Sequence, residues 1–150
     1  MSGEQPARPE RARPSSLPAG LRVELSRGKV LPGASAEADR WMAMLNDRLE
    51  ECVATLDAER MAIEIVFRLR EGEDEYLYWV TVAGEDGAGI NLENPIDRDH
   101  VAQAMRTKEP GWVEAEPQVL LLPEPVRRAV LGWALRPQAN EGTEAEWAEG

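Results

Sequence analysis

His100 is the only histidine in the chain, and histidine is the one side chain that titrates near neutral pH without help from its surroundings. Asp97 stands three residues before it, a spacing that puts both on one face of a helix. Such a pair has the parts of an oriented general base, with the carboxylate fixing the imidazole tautomer. The plainer reading makes Asp97 a helix-start residue and leaves His100 packed or in a local ion pair. Glu64 is a third candidate, in an apolar run beside Val66. If that face borders a cavity, its carboxyl is half-buried with a raised pKa and serves as acid or base. On a wet edge it would only pair with Arg22 or Arg68. Tyr76, Tyr78 and Trp79 carry flat rings that line pockets for organic ligands and that equally fill subunit interfaces.

Other chemistries find less support. Cys52 is the only cysteine, so no internal disulfide forms and a reducing cytoplasm is expected. It lies on the apolar stripe of a helix, far from any activating base, and reads as a structural thiol. Zinc sites show paired His or Cys spacings, which are missing here, and nothing beyond His100 itself favours haem. The glycines at 84, 87 and 89 match neither the dinucleotide spacing nor a phosphate loop. No Gly-x-Ser-x-Gly is present. No metal and no cofactor are therefore expected.

The elements that position these residues are organised around one hairpin, Met61 to Val82. Two β-rich runs flank Glu71-Gly72-Glu73-Asp74, a connection that suits a tight turn. On the first run Met61, Ile63, Ile65, Phe67 and Leu69 share a face, opposite Ala62, Glu64, Val66, Arg68 and Arg70. The second run is apolar on both sides: Tyr76, Tyr78, Val80 and Val82 on one, Leu77 and Trp79 with Thr81 on the other. Such a strand needs cover on both faces. The chain has helices enough for one, so the other calls for a second copy or a ligand.

Before the hairpin, Leu21 to Leu31 reads as a strand in which Gly28 marks a bulge or a close backbone approach. A single helix is expected from Ser35, its N-cap, to about Glu59, burying Trp41, Met44, Leu45, Leu49, Cys52 and Leu56. After the hairpin comes a glycine-rich loop. A second helix follows, from Pro95 to Lys108 with Asn94 at the N-cap and Ile96, Val101, Ala104 and Met105 inward. Val113 to Leu122 is the last strand, at an edge because Pro117 cannot donate to a ladder. A short helix from Val126 to Leu135 ends the domain. Residues 1–19 are proline-rich and polar, and 136–150 are acidic through Glu141, Glu144, Glu146 and Glu149. Both read as disordered tails around a single domain, 20–135.

Composition sets the limits. Hydrophobic residues make up 43% and the net charge is −11, which fits a globular chain and argues against nucleic acid or an anionic membrane surface as partner. No run is long enough to span a membrane. The N-terminus lacks the apolar core of a secretory signal, and Glu4, Glu10 and the prolines count against a transit peptide.

Strand, helix, two strands, helix, strand and a terminal helix make an α+β chain of ferredoxin-like βαββαβ order. Its antiparallel sheet carries both main helices on one face, the first and third strands centrally and the fourth at an edge. Two such sheets facing across a two-fold axis would cover the bare face. Three segments in this order, Gly28-Lys29-Val30-Leu31-Pro32-Gly33 leading to Trp41, Glu75-Tyr76-Leu77-Tyr78-Trp79-Val80, and Asn94-Pro95-Ile96-Asp97-Arg98-Asp99-His100, resemble a family of small bacterial proteins without assigned function. That family is grouped with the dimeric α/β barrels that include antibiotic-biosynthesis-type monooxygenases. The resemblance spans roughly Leu21 to Leu122 and departs at the Gly84–Gly89 loop, where such proteins carry a helical segment. It implies a homodimeric barrel and brings no chemistry of its own. Two functions stay open: a dimeric protein binding a small organic molecule or serving as an accessory subunit, and a cofactor-independent monooxygenase, isomerase or cyclase for an aromatic or polyketide-like substrate.

Overall fold

The computed structural model describes residues 13–137. Both expected tails lie largely outside them. Within the first, however, Leu17 is buried against Leu21 and Val130, and Arg13 donates to the Leu21 carbonyl and to Glu85.

The described residues form an α+β unit: a four-stranded antiparallel sheet in the order β2-β3-β1-β4, with four helices. Its elements are β1 (Leu21–Lys29), α1 (Ser35–Asp47), α2 (Leu49–Thr55), β2 (Met61–Glu71), β3 (Asp74–Gly84), α3 (Pro95–Thr107), β4 (Val113–Glu114) and α4 (Glu124–Ala134). The hairpin β2–β3 pairs Glu71 with Asp74 and Ile63 with Val82. Gly72 takes φ +63° in its turn, a conformation a Cβ would resist. At Gly28 the pairing to Leu77 is regular, so there is no bulge. The glycine marks a close approach instead: a Cβ there would lie 2.8 Å from Lys108 Cδ and 3.1 Å from the Trp112 ring, so those side chains would have to shift.

Strand alternation sorts the sheet into two faces. Leu77, Trp79 and Val66 meet Trp41, Ala38 and Ala34 of the helical layer and form the main core. The opposite face is not bare throughout. There α4 lays Val130 and Ala134 on Leu21 and Val82, with Val23 and Ile63 at the margin, so the terminal helix covers one end of the face thought to have no helix. The remainder, Leu25, Ile65, Phe67, Leu69 and Val113, is exposed, Phe67 by 55%.

Several boundaries differ from expectation, each for a physical reason. The long helix breaks at Arg48 (φ −109°). Asn46 and Asp47 are weak helix formers at that point, and Arg48 leaves the helical path to bind Glu51 and Asp99. Leu49, expected inside, is exposed as a result. Ala34, not Ser35, holds the cap position. The Ser35 hydroxyl instead donates to Glu75 and accepts from Arg68 and Arg70, inside an ion-pair cluster that satisfies the buried Glu75 carboxylate. Met105, expected inward, is 76% exposed. The last strand is only Val113 and Glu114, with Ala115 adding one N–H bond to the Leu25 carbonyl; with Pro117 unable to donate, residues 116–123 run on without a ladder.

Candidate functional site

Between the helical face of the sheet and α1, α2 and α3 lies a cleft of about 500 Å³. Glu64, Val66, Trp79 and Thr81 form its floor, Met42, Leu45, Cys52 and Leu56 one wall, Ile96, Asp97 and His100 the other, with Trp112 at the rim. The alternation of β2 and β3 aims Glu64 and Trp79 inward, and the helical spacing of Asp97 and His100 does the same from α3. Apolar walls with a few converging polar groups are what small-molecule sites present.

His100 is half-buried in a group of aromatic rings, its centroid 5.2 Å from that of Trp41 and 5.6 Å from that of Trp79. The Trp41 indole N–H donates to His100 Nδ1 at 2.9 Å. An indole nitrogen is only a donor, so Nδ1 must be the unprotonated nitrogen and the neutral ring carries its proton on Nε2. Burial holds the imidazole pKa below 6.5, against the opposing pull of Glu64 and Asp97. In this state His100 offers a hydrogen-bond donor and has no free lone pair to act as a base.

Asp97 is buried and shares the cleft with His100, but its Oδ2 accepts the Asn91 backbone N–H at 3.0 Å. The group that orients the imidazole is Trp41. Glu64 accepts the Trp79 indole N–H at 3.0 Å; neither Arg22 nor Arg68 pairs with it, Arg22 meeting Glu24 and Arg68 meeting Asp39 and Glu75. Four of the six candidate residues, His100, Asp97, Glu64 and Trp79, thus meet in one cleft. Tyr76 and Tyr78 do not. Their rings, 6.4 Å apart, stand on the opposite face of the sheet, where Arg27 lies over Tyr76 and a smaller groove of about 330 Å³ runs past Lys29 and Trp112.

Glu59 is the residue sequence reasoning missed. It follows α2, lines the cleft, and has its carboxyl pushed up to about 7 by burial and by the charges of Glu64 and Asp97. Its place in an apparently continuous helix concealed it; the break at Arg48 is what turns this segment to the cleft. Cys52 also borders the space, with burial raising its thiol pKa, which keeps it a thiol and a poor nucleophile. Among the described residues no three His, Cys, Asp or Glu side chains come together as a metal-ligating group, and no helix is long and apolar enough to cross a membrane.

Fold and site together define a small α+β protein with a cleft between an antiparallel sheet and its helices. Residues 21–128 match the model of a family of unknown function, DUF6176, and the chain belongs to that family. No curated protein and no solved structure matches it.

Proposed function

We propose that the chain is a small-molecule-binding protein that works as a homodimer, holding an organic ligand in the cleft of each protomer. The observation that carries this reading is the cleft itself: about 500 Å³ of mostly apolar space into which His100, Glu64, Asp97 and Glu59 bring polar groups. In this reading Trp79 is a wall, His100 donates Nε2–H to the ligand, and Asp97 holds the loop at Asn91. The sheet order β2-β3-β1-β4 is that of a ferredoxin-like unit, which supports the kinship with dimeric α/β barrels. The uncovered end of the sheet, with Phe67, Ile65, Tyr76 and Tyr78, is then the face a second copy covers. No cofactor and no nucleic acid enter this reading, and the lone cysteine suits a cytoplasmic setting.

A second reading, a cofactor-independent monooxygenase, isomerase or cyclase acting on an aromatic or polyketide-like substrate, is favoured by one specific feature. Glu59 titrates near neutrality in the same cleft as the Nε2–H of His100, an acid–base pair of matched position.

The neutral dye Nile red tests the first reading. Its fluorescence should rise on binding the native chain and on binding Phe67→Lys, and should be lost in Leu45→Trp, which fills the cleft. Equal uptake by Leu45→Trp together with loss in Phe67→Lys would put the binding on the open sheet face and overturn it.

A further inference from the structure

We infer that the cleft takes an organic cation: an amine or similar positively charged group on an apolar or aromatic body. The inference rests on the cleft being a ligand site and adds the class of ligand.

Its basis is the kind of charge the walls carry. Four carboxyl side chains, Glu24, Glu59, Glu64 and Asp97, line the space, and no arginine or lysine does. Glu24 is paired with Arg22, but among the described residues Glu59, Glu64 and Asp97 form no ion pair; Glu64 is met by an indole N–H and Asp97 by a backbone N–H. The Arg48 guanidinium is engaged away from the cleft, with Glu51 and Asp99, and Arg22 meets only Glu24 of the four. His100 cannot supply the missing positive charge, because protonating Nδ1 would set two donors against each other at the Trp41 contact.

An anionic ligand would therefore enter a space of its own sign with only the neutral Nε2–H of His100 to meet it, at a cost that grows as water leaves. A cation meets the reverse. It offsets the burial and the charges of Glu64 and Asp97 that push the Glu59 carboxyl up to about 7, and it gains from the Trp79 indole on the floor, the Trp112 ring at the rim being already met by Lys108 Nζ, 4.2 Å from its centroid. The apolar side chains Leu45, Val66 and Ile96 are left for the body of the ligand.

Three probes of one shape and three charges decide it: phenethylamine, phenethyl alcohol and phenylacetate, titrated into the native chain at about pH 8, where Glu59 is ionised, with tryptophan fluorescence as the readout. The amine should bind about tenfold tighter than the alcohol, and phenylacetate weakest. In the isosteric double variant Glu59→Gln/Glu64→Gln the amine and the alcohol should fall to within about threefold of each other. Alcohol or phenylacetate binding as tightly as the amine to the native chain would overturn the cation inference while leaving the cleft a ligand site. Binding of none of the three would overturn both.

Discussion

The indole N–H of Trp41 donates to Nδ1 of His100 across the gap between α1 and α3, at 2.9 Å. That contact fixes the histidine as a neutral donor through Nε2 and ties α1 to α3, which Gln103 also joins by donating to Glu37. Trp41→Phe keeps the ring and removes the donor. His100 should then titrate closer to 6.5 by NMR, though still below it because burial is the larger influence. Stability should fall by about 1–2 kcal/mol for the lost hydrogen bond and imperfect filling. An unchanged His100 titration would mean that the bond does not set the protonation state.

The carboxyl of Glu59 gives the protein a pH dependence of definite sign. Its folded-state pKa, about 7, lies above the ordinary 4.5. The folded chain therefore holds this proton more tightly than the unfolded one. The associated stability is complete below 4.5 and is lost as pH rises through 7. His100 slopes the other way, its contribution being present above 6.5 and lost as pH falls below that value. Glu59→Gln removes the first slope alone. Denaturant unfolding should show the variant more stable than the native chain by about 1 kcal/mol at about pH 8, after discounting for partial exposure, and no more stable at about pH 5.

Phe67 is 55% exposed in the middle of the uncovered apolar row. Phe67→Lys should convert a dimer to a monomer in sedimentation velocity while leaving the protomer's far-UV spectrum unchanged. If the native chain is already a monomer at micromolar concentration, the substitution should shift stability by no more than about 0.5 kcal/mol, and the dimer is wrong.

How much of this was legible in the residues follows from which rules are local. Hairpin period, the Gly72 turn and the Asn94-Pro95 helix start depend on near neighbours, and the strands and helices they imply are where the chain puts them. The placement of β1 and β3 at the sheet centre followed from crossover handedness. The break at Arg48 was legible only in the weak helix formers Asn46 and Asp47, because the rest of its cause is a contact with Asp99 on another helix. For the same reason Glu59 was missed and Ser35 was given a cap it does not form. Trp41 as the partner of His100 could not be found from spacing, the two being 59 residues apart. The separation of Tyr76 and Tyr78 from Trp79 was implicit in strand alternation; what alternation leaves open is which face holds the cleft.

The tryptophan side-chain N–H resonances test the cleft as a ligand site most directly. Trp41 donates to His100, Trp79 to Glu64, and Trp133, on the far side of the sheet, to the Met61 carbonyl. In a nitrogen–proton NMR spectrum assigned through single Trp→Phe variants, phenethylamine should shift the Trp79 and Trp41 signals progressively and saturably and leave Trp133 in place. Signals of Trp41 and Trp79 that stay fixed to millimolar probe, or a shift confined to Trp133, would contradict a ligand-binding cleft between this sheet and its helices.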